Sequence, residues 1–321
     1  MPNTTKQTEF NYGGQAVIEG VMMRGSKALA VAVRDPDGEI VIHTEPLDPR
    51  IYGGGLAKIP FLRGLTLLWD ALGLGIKSLM FSAEVALEEE GEEGEENPAS
   101  VFEGPMQLGT VIFSLSLSIG LFFVLPAFLA GQAERLFGIQ SNLFSNAIEG
   151  LIRLVLLVGY VWIIGLMPDV RRLYGYHGAE HKTINAYEAG AELTPASVAR
   201  FSLEHPRCGT AFLLTVVVIS ILIFTLLPPL SIPMRILSRI LLLPVVAGIA
   251  YEFIRFSAKH QDKAFIRLIT RPNLALQHLT TREPDEQMMA VAIAALEQVL
   301  AFELKKETVP IETPLSVVEL S

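Results

Sequence analysis

The chain has 321 residues, 50% of them hydrophobic and only 18% charged, with a mean hydropathy of +0.42. Soluble domains carry about 25% charged residues, so this composition argues against a purely soluble enzyme. One cysteine excludes a disulfide framework, a Cys₄ zinc module and an iron–sulfur cluster held by this chain alone; a net charge of −9 and a pI near 5.3 argue against a dedicated nucleic-acid binder.

Met1 to Phe10 is polar and reads as neither a signal nor a transit peptide. Tyr12 to Gly25 is punctuated by glycine around an apolar centre and reads as a loop. Ala28–Arg34 and Glu39–Thr44 alternate about the turn Asp35-Pro-Asp-Gly38, the pattern of a β-hairpin. Residues 1–57 are therefore expected as a small cytoplasmic module. Ile59 to Ala86, within 58–87, predicts an amphipathic helix at the membrane surface or packed on the bundle, with partial insertion left open. Glu84, Glu88, Glu89, Glu90, Glu92, Glu93, Glu95 and Glu96 hold eight of the 34 acidic residues; without them 26 acids face 25 bases. That run marks residues 88–105 as a solvated linker.

Four later stretches reach the length of about 20 apolar residues that a bilayer requires: Leu108–Ala130, Ala147–Met167, Gly209–Leu230 and Ile236–Ile254. They make 106–256 an expected four-helix transmembrane region. Glu149, Arg153, Arg239 and Glu252 lie near the ends of the second and fourth spans. The segment joining spans two and three, 168–208, carries five Lys or Arg, as does the stretch Arg255 to Arg271 after span four; the other two connections carry one Arg each. The positive-inside rule then places both termini and the 168–208 loop in the cytoplasm, with the chain in the plasma membrane. In the tail, 257–321, Thr280-Thr-Arg-Glu283 signals a helix start and 284–303 repeats apolar residues at helical spacing. The expected fold class is thus an α-helical multi-pass membrane protein of about four spans, with an N-terminal β-hairpin module and a C-terminal amphipathic helix.

The chemistry concentrates after span two, where His177-Gly-Ala-Glu180-His181 is a His-x-x-Glu-His motif. Imidazoles at i and i+4 share one helix face and can bind one cation, and the glutamate beside them can take a proton from a water that the ion acidifies. The competing reading is a pair of histidines at a membrane interface, ring inward and polar tip outward. Glu188 lies about 10 Å further along the helix, too far for the same ion. His205-Pro-Arg-Cys208 returns the chain to the same face and offers a nitrogen and a thiolate, a donor set suited to zinc. Glu252 is a third candidate ligand, set against an ion pair with Arg255 or an interfacial lysine.

Four blocks in order, Gly13–Arg24, Gly175–Ile184, His205–Thr210 and Leu276–Pro284, resemble the YqhQ-like bacterial membrane proteins, the domain of unknown function 1385 family. The likeness runs from about Tyr12 to about Leu300. It implies a multi-pass membrane protein of a family labelled a predicted metal-dependent enzyme, with no established substrate. It marks Glu19, Arg24, His177, Glu180, His181, His205, Arg207, Cys208, Thr281, Arg282 and Glu283 as motif positions without assigning their roles.

The leading expectation is a zinc-dependent membrane enzyme acting on a peptide, amide or lipid-like substrate. His177 and His181 would be ligands, with His205 or Cys208, or less directly Glu252, completing the shell. Glu180 would be the general base, with Glu19 and Arg24 brought by the glycine-rich loop closing over the site. The alternative is a non-catalytic scaffold or assembly factor with a structural ion. A transporter finds little intramembrane polarity to work with, and a homo-oligomer is left open.

Overall fold

The computed structural model describes residues 12–53, 59–87, 105–138, 141–228 and 230–308. Strands β1 (Gly13–Val17), β2 (Gly20–Arg24), β3 (Ala28–Arg34) and β4 (Ile40–Pro46) precede helices α1 (Pro49–Gly53), α2 (Leu62–Leu87), α3 (Pro105–Ile119) and α4 (Leu125–Phe137). Then follow α5 (Asn142–Ile164), α6 (Pro168–Glu188), the single turn α7 (Pro195–Val198), α8 (Gly209–Thr225), α9 (Ile232–Lys259), α10 (Ala264–Thr280) and α11 (Glu286–Thr308). Most of the predicted acidic linker, 88–104, lies outside the described residues.

The four strands form an antiparallel meander in the order β1-β2-β3-β4. The expected hairpin is β3–β4, whose turn closes with Gly38 at φ 91°. The glycine-rich segment is no loop. It forms the β1–β2 hairpin, with Gly13 opposite Arg24 and Val17 opposite Gly20. Its glycines admit close backbone approach: a Cβ on Gly20 would sit 2.3 Å from the Ala32 carbonyl oxygen. Side chains alternate across the sheet. Val21, Met23, Ala30 and Ala32 share a core with α6 and α11, while Val17, Met22, Leu29, Val31 and Val33 pack with Leu74, Leu79 and Val85 of α2. Alanines on the α11 side let that helix lie close. At its C-terminal end, the Glu303 carboxylate accepts from Tyr12 OH at 2.9 Å, Ser26 N at 2.6 Å and Lys27 N at 3.0 Å, clasping helix to sheet.

Among the described residues, five helices are long and apolar enough to cross a membrane: α2, the α3–α4 run, α5, α9 and α11. The chain is a multi-pass membrane protein by these helices. The third predicted span, α8, is shorter at 17 residues. Two of the five also pack on the sheet. The core face of α11 is buried against β2, β3 and α6, as expected of a packed amphipathic helix. It starts at Glu286, with Asp285 Oδ1 accepting from Met288 N at 2.8 Å, later than the predicted Thr280 signal because α10 runs on through Thr280. The second half of α2 packs on the sheet and its first half on α9, where Gly64 and Gly248 admit the Tyr251 and Phe61 rings.

Charges near the span ends meet inside the helix bundle. Glu149 accepts from Arg153 Nη2 at 2.8 Å and from Arg239 through Nε at 2.9 Å and Nη2 at 2.8 Å. Arg153 also donates to Ser220 Oγ and to the Phe122 carbonyl, both at 2.8 Å. Phe122 belongs to a π-helical turn, Gly120–Val124, that joins α3 to α4. All three charged side chains are at most 2% exposed. Buried ions need this completeness, because a lone charge there costs several kcal/mol.

Candidate metal centre

Helix α6 starts three residues after α5, with Pro168 at its first position and Asp169 in its first turn, both favourable helix starts. From Tyr174 to Ile184 it is largely buried. One stripe, Arg172, Tyr176 and Glu180, faces the β1–β2 hairpin. A Cβ on Gly14 would lie 2.5 Å from the Met22 carbonyl oxygen and 2.9 Å from Glu180 Cγ, so only glycine fits beneath that carboxylate. The neighbouring stripe, His177 and His181, faces the 203–208 loop and the end of α10.

Each imidazole on that stripe is fixed from behind. His177 Nδ1 lies 2.8 Å from the Thr280 carbonyl and His181 Nδ1 lies 2.5 Å from the Leu203 carbonyl. A carbonyl only accepts, so both rings carry their proton on Nδ1 and turn the Nε2 lone pair forward. Metal-bound histidines are held in this way, the ring N–H that does not face the ion donated to a carbonyl. His177 Nε2 is 3.1 Å from Cys208 Sγ. His181 Nε2 is buried with no hydrogen-bond partner among the described residues. Ligand atoms of His177, His181 and Cys208 lie within 4.8 Å of one another. A tetrahedral zinc with bonds of about 2.0 Å to nitrogen and about 2.3 Å to sulfur would hold such atoms about 3.5 Å apart. The donor types, the orphaned Nε2 and the spacing all suit such an ion.

Cys208 caps α8, and its sulfur accepts from Thr210 N at 3.4 Å. The loop before it is held by Gln277, whose amide exchanges two bonds with the His205 backbone at 2.9 and 2.8 Å. Those bonds set the His205 ring aside from the cluster. Its Nε2 is 3.3 Å from Arg207 Nη2, its centroid 5.5 Å from that of His181. Burial, and then the Arg207 charge, push its pKa down to about 3, so it stays neutral. Arg207 in turn pairs with Glu188. His205 is therefore a neighbour of the three-residue cluster rather than a member.

Glu252 is not there either. Arg63 grips it through Nε at 2.7 Å, and Phe61 N donates to it at 3.1 Å. Its partner is a residue of α2, not Arg255 or a lysine. Glu19 sits at the β1–β2 turn with φ 51°, bound by Arg172 Nη2 at 2.6 Å and by Tyr176 OH at 3.1 Å. Arg24 ends β2, five residues on, about 16 Å away along a strand. One substrate atom cannot meet both, so the picture of a loop closing over the site with this pair gives way to a hairpin that walls α6. Glu180 is 4% exposed and its carboxylate accepts from Gly14 N–H. Burial raises its pKa to about 7, against the opposing pull of His177 and that N–H.

The four sequence blocks do converge on α6. Gly14 and Glu19 lie on one side, and Leu203 to Cys208 and Thr280 to Glu283 on the other. Arg282 donates to the last carbonyls of α10, at 2.9 Å to that of His278, and its N–H meets the Tyr174 carbonyl. Glu283 pairs with Lys182 Nζ at 2.6 Å. The supporting carbonyls of Thr280 and Leu203 had no sequence signal, since any residue supplies a carbonyl.

This chain matches DUF1385, a protein of unknown function, over residues 59–302. It belongs to that family. It is also 36% identical over 301 residues to the uncharacterized protein YqhQ of Bacillus subtilis (strain 168), covering 92% of this chain and 94% of that one. No solved structure matches. The family match includes all three residues of the cluster and the segments that orient them.

Proposed function

We propose that this chain is a zinc protein of the plasma membrane, hydrolase-like, with its centre on the cytoplasmic face. The observation that carries the reading is the pair of imidazoles locked by backbone carbonyls, with His177 Nε2 against Cys208 Sγ and His181 Nε2 buried without a partner among the described residues. Three protein ligands leave a fourth position, the arrangement of catalytic zinc sites. Zinc held there would supply Lewis acidity toward a carbonyl of a peptide, amide or lipid ester. Glu180, on the turn between the two ligands, would accept the proton of the attacking water. The loop charges support the cytoplasmic side.

Cobalt loading tests the centre. Cobalt(II) bound by two imidazoles and a thiolate gives intense tetrahedral d–d bands and a sulfur charge-transfer band. Cys208→Ser should abolish the second and His181→Ala should abolish both. A parent with neither band refutes the reading. Glu180→Gln should keep both bands and abolish any ester or amide hydrolysis that the zinc-loaded parent shows; survival of hydrolysis removes Glu180 from the role.

A second reading is a structural ion in a scaffold. It draws on enclosure: the cluster ties α6, the start of α8 and the end of α10 together, and His205 stands close enough to become a fourth ligand by turning its ring. A closed four-ligand ion ignores added cyanide or hydroxamate, whereas an open position shifts the cobalt bands.

A further inference from the structure

A cavity of about 340 Å³ lies between α9, α10 and the start of α8, lined in part by Glu204 and Pro206 but by none of His177, His181 and Cys208. Its lining is divided. Phe253, Ile254 and Leu274 make an apolar part, while Ser257, Gln261, Arg267 and Arg271 make a polar one. Arg267 and Arg271 stand one turn apart on α10, and neither guanidinium has an ion-pair partner among the described residues. The lining holds one carboxylate, Glu204, and His278 engages it at 2.9 Å. Ser257 is 4% exposed, and its buried hydroxyl lacks a hydrogen-bond partner among the described residues.

The setting indicates where such a ligand comes from. Phe253, Ile254 and Ser257 lie at the end of the candidate span Pro233–Lys259. Helix α10 exposes Phe265 at 68% and Leu268 at 61%, and from Lys263 to Arg282 it carries no acid. A helix with exposed apolar residues and only basic charges belongs at an anionic membrane interface. The polar end of the cavity therefore opens where phosphates lie, and its apolar end follows α9 into the bilayer.

We propose that this cavity binds an anionic phospholipid, its phosphate between Arg267 and Arg271, its ester region on Ser257 and Gln261, and its chains along Phe253 and Ile254. The site stands independently of the metal centre, and its test needs no turnover.

The full chain is purified, reconstituted with equal phosphatidylglycerol and phosphatidylcholine, and read by native mass spectrometry for retained lipid. The parent should retain phosphatidylglycerol in preference. Arg267→Gln/Arg271→Gln should lose about thirty-fold of that preference, a factor of about five for each basic side chain. Lys259→Gln/Lys263→Gln removes the same charge from exposed residues close by in sequence but outside the cavity lining, and should keep most of it. Millimolar glycerol phosphate or inorganic phosphate should displace nothing. Equal retention of both lipids by the parent overturns the proposal, as does equal loss in the two double variants. Displacement by glycerol phosphate overturns the lipid assignment in favour of a soluble phosphate ester.

Discussion

Gly178→Ala perturbs the centre without touching a ligand. A Cβ at that position would lie 2.1 Å from the Arg282 carbonyl oxygen and 2.9 Å from Leu203 Cδ2, against ordinary contacts of 3.4–4 Å. The oxygen is backbone, so α6 and the 280–282 segment must separate by more than 1 Å. Helix propensity favours alanine by about 1 kcal/mol. Overpacking costs about 1–3 kcal/mol, and loss of the 2.9 Å bond from Arg282 N to the Tyr174 carbonyl costs about 1 kcal/mol more. The net expectation is a loss of about 1–3 kcal/mol. The same displacement withdraws the Thr280 carbonyl from His177 Nδ1 and the Leu203 carbonyl from His181 Nδ1. Losing such supports weakens zinc about 10–100-fold. Thermal unfolding in detergent and zinc competition with a chromophoric chelator read the two effects. A variant that is more stable than the parent, with zinc affinity unchanged, would show that α6 does not lie against these carbonyls and would refute the reasoning.

Other substitutions separate structural from functional charge. Glu149→Gln leaves two buried guanidiniums without a carboxylate and should cost about 3–5 kcal/mol in detergent unfolding; Arg239→Met, which leaves a neutral pair, should cost clearly less, and the reverse order would contradict the network. Arg172→Ala breaks an ion pair whose arginine side chain is 50% exposed, so it should cost under about 1 kcal/mol and leave zinc affinity unchanged. A large loss of zinc in that variant would restore Glu19 to the site.

The sequence made the uncharged spans legible because nothing interrupts them, and the β3–β4 hairpin because Asp-Pro-Asp-Gly turns and its flanks alternate. It hid the β1–β2 hairpin, since glycine is depleted in strands generally. Here Gly14 and Gly20 are required by what lies above them, Glu180 and the Ala32 backbone, and neither neighbour is visible locally. Helix α11 has the length and apolarity of a span, and its burial against β2, β3 and α6 explains where its apolar side goes. At the site, His177, His181 and Cys208 were legible from helical spacing and from the return of the chain to one face. Glu252 misled because its partner, Arg63, is 189 residues away. His205 misled because its neighbour in sequence joins the cluster, while Gln277, 72 residues on, holds its backbone and leaves its ring against Arg207.

The most direct test of the central claim is metal content. Detergent-purified parent and a His177→Ala/His181→Ala variant should be compared by inductively coupled plasma mass spectrometry after equal exposure to zinc and removal of excess. The account predicts about one equivalent of zinc in the parent and none in the variant. A parent without stoichiometric metal, or a variant that keeps it, would contradict the metal centre.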